Sequence, residues 1–350
     1  MRTPTNRRRT ARRAGLAVAI LVLTAILVFA LSRLDLTHIG HALISASPGW
    51  VLAAVALMML SLLLRAVSWR QTLRAALPDT PIRWLAVARA TMIGVMASAL
   101  FPGRIGEPTR MLVLARRLEG PTGRRLPVVA GTVFSQTLIN LLALGILAAV
   151  TFTSVPLLHG HASALQAVLA LPLIVGTLML GGPRLMRLAQ RSRNTRVRRG
   201  ANTLAGLLRL ARRGLVVFTQ PRHGITAVGT QLLAWALQWA ACYTIVLALG
   251  LQDQATPVTA AAVLLAVNVS AALPATPSNV GVFQAACLVV LAAYGVGAGP
   301  ALAYGIILQA VEVLTALALG VPALLGEGMT WRDIRRAAGG APEEPPRGLS

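Results

Sequence analysis

The stretch Arg104-Ile105-Gly106-Glu107-Pro108-Thr109-Arg110 places two guanidinium groups and a carboxylate within seven residues, directly after an apolar run. Positions 104, 107 and 110 follow an i, i+3, i+6 pattern, so on a helix they share one face. A guanidinium fork suits phosphate or another anionic head group, which makes Arg104 and Arg110 candidate ligands for one. The alternative for Arg110 is that it ends the segment near a membrane interface and snorkels there. Glu107 reads either as the partner that keeps these arginines charged and aimed, or as a helix cap ahead of Pro108; a proton-coupling role is a third option.

A second stretch, Ala272 to Ala286, has similar punctuation. Thr276, Ser278 and Asn279 offer hydroxyl and amide groups beside what would be a half-helix N-terminus, a place that attracts anions. Ordinary turn chemistry explains the same residues equally well. Glu312 is the one carboxylate well inside a clear apolar run and shares a face with Gln309. It reads as a partner for Arg104, a proton carrier, or half of a structural ion pair. Gln136, Asn140, Gln231 and Gln238 mark inward-facing helix sides, with interhelical hydrogen bonding as the plain reading and Gln136 also a candidate contact for the substrate. Arg89 reads as lying close to the cytoplasmic interface.

These residues suggest binding rather than catalysis. The five histidines fall in loops or in a basic segment, and no metal motif, phosphate loop or Ser/His/Asp arrangement accompanies them. The expectation is a protein that is not an enzyme, with no metal and no cofactor. Cys242 and Cys287 lack any metal or redox spacing and read as small buried hydrophobes.

The elements that must position these groups are membrane helices. The chain has 350 residues, 56% hydrophobic and only 12% charged. Apolar runs long enough to cross a hydrocarbon core of about 30 Å occur at 15–32, 48–64, 126–152, 162–181, 225–251 and 300–325. Residues 1–14 form a basic tail, and the first run is too long for a signal peptide with no clear cleavage site behind it, so it reads as a retained helix. One transmembrane domain over 15–326 follows, with a first half at about 48–152, a basic loop at 183–224 and a second half at about 225–325. A polar tail occupies 327–350.

The net charge of +23 comes with 33 basic residues, all arginine, and they lie between apolar runs. Nucleic acid is therefore not the expected partner, and the positive-inside rule accounts for the pattern. Six arginines precede the first run; Arg65, Arg70, Arg74 and Arg83 follow the second; eleven lie between Arg184 and Arg222; Arg332, Arg335 and Arg336 follow the last. Segments 34–47, 153–161 and 252–256 have none. The map fails only if 84–101 crosses completely, because Arg104 to Arg125 would then be external. If 84–101 enters and 103–115 returns, the rule is restored and Phe101-Pro-Gly-Arg-Ile-Gly-Glu-Pro108 is the tip of a re-entrant hairpin. Irregular backbone is tolerated at such depth where it lines a protein-enclosed cavity.

Runs 256–273 and 285–297 make a second broken pair with the opposite sense, although two full spans would give the same parity. The expected fold is therefore an all-α polytopic membrane protein of about six full spans plus two re-entrant helical hairpins in inverted repeats. Broken helices at corresponding places in two inverted halves point to a transporter binding site.

Over about residues 15–328, Arg104-x-Gly106-Glu107-x-x-Arg110 and the later Pro-rich turn resemble the lysylphosphatidylglycerol synthase transmembrane region, a family also known as flippase-like domain proteins. The family's second turn typically reads Pro-Gly-Gly-x-Gly-x-x-Glu, whereas this chain has Pro277-Ser278-Asn279-Val280-Gly281-Val282-Phe283-Gln284. Ser135-Gln136 stands where a Glu-Arg pair is common, and Glu312 lies in a last span where an arginine is common. The resemblance implies the translocating half of such proteins without the soluble synthetic domain.

The expected function is a lipid translocase moving an anionic or zwitterionic lipid between leaflets. Its head group would be held by Arg104, Glu107 and Arg110, with Thr276, Ser278 and Asn279 opposite. A proton-coupled transporter of a small polar solute and a non-catalytic accessory subunit of a lipid or glycolipid pathway are the alternatives. Membrane lipids, anionic ones above all, are the expected partners. The expected location is a bacterial cytoplasmic membrane, with both termini cytoplasmic.

Overall fold

The computed structural model describes residues 43–100, 105–118, 122–154, 215–271 and 280–327. The expected spans at 15–32 and 162–181, most of the basic loop and both tails lie outside the described residues. Every described α-helix is apolar around most of its circumference except α3, which carries a charged face. The helices are α1 (Pro48–Ala76), α2 (Trp84–Leu100), α3 (Gly106–Arg117), α4 (Thr122–Ser154), α5 (Pro221–Ala248), α6 (Pro257–Ser270), α7 (Val282–Ala293) and α8 (Ala298–Gly326). A 3-10 turn at Leu215–Thr219 leads into α5. Among the described residues, four helices are long and apolar enough to cross a membrane: α1, α5, α8 and the stretch Arg125–Thr151 of α4.

Local sequence explains the boundaries. Pro48, Pro221 and Pro257 each open a helix at the first turn, where the missing N–H costs nothing. Thr256 and Thr259 close a reciprocal cap on α6. α1 does not stop at residue 64, where the apolar run ends. Arginine is a good helix former, and the first true breaker is Pro78. The helix therefore runs to Ala76 and carries Arg65, Arg70 and Arg74, which are helical residues and not loop residues as the charge map had them.

α1 and α5 form the spine. Ser47 N–H donates to Ala248 O, Ser61 Oγ to Ala234 O and Ser68 Oγ to Ala227 O, each at 2.8 Å. Numbers climb on one helix as they fall on the other, so the pair is antiparallel along its whole length, with Ser61 midway. Serine hydroxyls that reach a neighbour's backbone let two helices approach closely.

The remaining packing repeats. α2 packs on α3 as α6 packs on α7; α3 on α4 as α7 on α8; α1 on α2 as α5 on α6; and α8 on α2 as α4 on α6. α4 and α8 each also contact both spine helices. Among the described residues two large apolar cores result, beside a small cluster of Ala75, Ile139, Val217 and Ala227. One gathers Trp69 and Leu73 of α1, Ile93 and Met96 of α2, and Leu114 of α3. The other gathers Ala54 and Met58 of α1, Ile245 of α5, Leu264 of α6, Leu291 of α7 and Leu308 of α8. The cores use opposite ends of α1, so the α2/α3 and α6/α7 pairs sit at opposite ends of the spine. Large apolar side chains such as Leu52 and Val289 face outward, 67% and 69% exposed, as lipid-facing residues would.

Candidate functional site

Between the two cores lies a band of polar side chains. Its best-connected member is Arg110 on α3. A close contact brings α3 against α2: a Cβ on Gly106 would overlap the Gly94 carbonyl and the Ser98 hydroxyl, and one on Gly94 would lie 2.8 Å from Arg110 Cβ. Only glycine at both places allows this approach. It aims the buried Arg110 side chain inward, where Nε donates to Glu107 Oε2 at 2.8 Å and Nη1 to Gln136 Oε1 at 2.9 Å. The guanidinium carbon also stands 4.8 Å from the Trp69 ring centroid. Glu107 is thus the ion-pair partner of Arg110. It is not the cap of α3, because the N-cap position is Ile105 and Glu107 lies within the first turn.

Gln136 links this group to the spine, its Nε2 donating to the Arg65 backbone carbonyl at 3.2 Å. Arg65, one turn beyond Ser61 and so about 6 Å along the axis from the middle of α1, donates from Nη2 to Gln238 Oε1 on α5. Its guanidinium carbon lies 5.6 Å from the Trp235 ring centroid. Its Nε is buried with no acceptor among the described residues. A charge at such depth costs about 2.5–3.5 kcal/mol on insertion scales and calls for a reason. Asn140 completes the band, accepting from Gln231 and Trp235.

In the second half, Gln284 on α7 donates to Gln309 on α8, and the Gly281 N–H donates back to Gln284 Oε1 at 2.7 Å. Gly281 has φ 89°, a left-handed conformation that favours glycine. Glu312, one turn along from Gln309, is half-buried and lies within Coulombic range of Arg65. Among the described residues it makes no hydrogen bond or ion pair.

The structure thus brings Glu107, Arg110 and Gln136 together, while Glu312 lies on α8, which packs against the α1 helix that carries Arg65. Arg104, Thr276, Ser278 and Asn279 lie outside the described residues. Arg89 belongs to a different group: it donates to Gly326 O at 3.0 Å and pairs with Glu327, which also binds Arg117. Cys242 and Cys287 are free and buried. Sequence reading missed Arg65, Trp69 and Trp235. The available signal was the i, i+4 spacing of Arg65 and Trp69 in a stretch with no helix breaker before Pro78.

Four long apolar helices and buried polar side chains gathered between two apolar cores define a multi-pass membrane protein. The chain matches the family described as the lysylphosphatidylglycerol synthase TM region over residues 15–320, and it belongs to that lipid-related family. No curated protein matches it.

Proposed function

We propose that the protein is a lipid translocase, moving a polar-headed anionic or zwitterionic lipid between leaflets without covalent chemistry. The observation that carries this reading is the exchange pattern of the packing. Each helix contact in α1–α4 has its counterpart in α5–α8, around an antiparallel spine. A two-fold relation between antiparallel helices has its axis across them, which in a membrane is the arrangement of inverted repeats.

In this reading α2/α3 and α6/α7 are re-entrant hairpins. Their 17, 12, 14 and 12 residues reach about 18–26 Å at 1.5 Å each, short of a hydrocarbon core about 30 Å thick. The pairs enter from opposite ends of the spine, and the polar band between the cores is where a head group rests while acyl chains stay in lipid. Arg110 and Arg65 favour a phosphate, with Arg104 and Thr276–Asn279 supplied by the hairpin tips of the sequence reading. The arginine distribution favours a bacterial cytoplasmic membrane with both termini inside.

Glu312 favours a second reading, a proton-coupled transporter of a small polar solute, because a carboxylate with no described partner is suited to carrying a proton. The test is reconstitution into vesicles with fluorescent lipids of several head groups. Transfer between leaflets above protein-free vesicles is the expected result. No transfer of any lipid by folded protein would overturn the translocase reading.

A further inference from the structure

Arg65 and Glu312 are opposite charges on two helices that pack against each other, yet they do not form an ion pair. Each keeps unused bonding capacity. Arg65 spends Nη2 on Gln238 and leaves Nε without an acceptor. Glu312 has no donor among the described residues. It follows Val311 and lies one turn past Leu308, both in the core that also takes in Met58 of α1, Cys242 of α5 and Cys287 of α7, so it sits beside the place where α1, α5, α7 and α8 converge.

Arg110 differs. Its Nε is taken by Glu107 and its Nη1 by Gln136, so its charge is already matched and it offers a ligand only its remaining N–H groups. Separated unlike charges inside an apolar bundle are costly, since each loses water and neither regains a full partner. A molecule carrying an anionic group for Arg65 and an ammonium for Glu312 would relieve both at once. One carrying only the anion would leave Glu312 unpaired beside it.

We infer that Arg65 and Glu312 form a subsite for a zwitterion, with a phosphate on the Arg65 guanidinium and an ammonium on the Glu312 carboxylate. This rests on the translocase reading and narrows its substrate to an amine-bearing, phosphoethanolamine-like head group over a purely anionic one. The Gln309–Gln284 bond one turn away holds α8 against α7 and sets the direction of the Glu312 face. Sites that hydrogen-bond a particular substrate group discriminate strongly against analogues lacking it, because their own polar groups are then left unpaired.

The test uses vesicles carrying trace fluorescent lipids with either a phosphoethanolamine or a phosphoglycerol head group. A parallel arm measures uptake of soluble phosphoethanolamine. Wild type is expected to prefer the phosphoethanolamine lipid. Glu312→Gln is expected to lower the ratio of the two transfer rates about tenfold or more, a change of ~1.4 kcal/mol in discrimination. Glu312→Asp retains the preference, and Arg65→Gln slows both lipids.

Because a ratio is read within one preparation, partial misfolding of a variant leaves it unmoved. An unchanged ratio in Glu312→Gln overturns the subsite while leaving the translocase reading intact. If wild type moves neither lipid but takes up soluble phosphoethanolamine in a Glu312-dependent way, the subsite stands and the lipid reading falls. Movement of neither lipid nor solute overturns both.

Discussion

The two halves of the molecule build the same joint from different chemistry. In the first half a side chain from the second short helix, Arg110 of α3, reaches Gln136 on the following long helix. In the second half Gln284 reaches Gln309 from corresponding elements. Each of these side chains also closes a local link three residues back, Arg110 to the Glu107 carboxylate and Gln284 to the Gly281 backbone. The second half shows that a neutral amide is enough to hold an arm against its neighbour. The charge at Arg110, which must be desolvated and then matched by Glu107, is therefore more than the joint requires. Under the proposed translocase function, that surplus charge is what a head group would use.

The comparison is broken most severely at Gly106. Valine there overlaps the Gly94 carbonyl and Ser98, and we expect a loss of about 3 kcal/mol or no folded protein, read as a thermal shift in detergent. In the second half the glycine at the α7–α8 contact is Gly305, whose Cβ would meet Gln284 Cα at 3.2 Å and Cys287 Cβ at 3.3 Å. Gly305→Ala should cost only about 1 kcal/mol by the same assay, because small shifts relieve it.

Arg110→Ala leaves Gln136 and Glu107 without their partner and should destabilise by roughly 2 kcal/mol. Arg110→Gln should cost less than Arg110→Ala, since it copies the second half. Gln284→Ala removes a neutral hydrogen bond and should cost about 1 kcal/mol in the same melt. The smallest effect is expected at the far end of α8, where Glu327 binds two partly exposed arginines, Arg89 and Arg117. Glu327→Gln should cost no more than about 1 kcal/mol and should weaken the salt dependence of the melting temperature.

Much of this arrangement was readable before any coordinates. The i, i+3 spacing of Glu107 and Arg110 announced their pairing, and the prolines and glycines around residue 104 announced a break between helical arms. The multi-pass helical class followed from run length alone. Arg65 was not readable in the same way. Counting arginines assigns any that follow an apolar run to a loop, whereas the helix continues until backbone geometry stops it at Pro78. Gln284 looked like a departure from the family's carboxylate. Its role as the partner of Gln309 depends on how α7 lies against α8, which is tertiary packing and leaves no mark on local pattern.

The most direct test of the central claim measures lipid transfer by Arg110→Gln beside wild type, with matched melting curves. If the joint needs only an amide while the head group needs the charge, the variant melts within a few degrees of wild type and transfers lipid at least tenfold more slowly. Wild-type transfer by a stably folded Arg110→Gln protein would contradict the account and reduce Arg110 to the packing role that Gln284 plays in the other half.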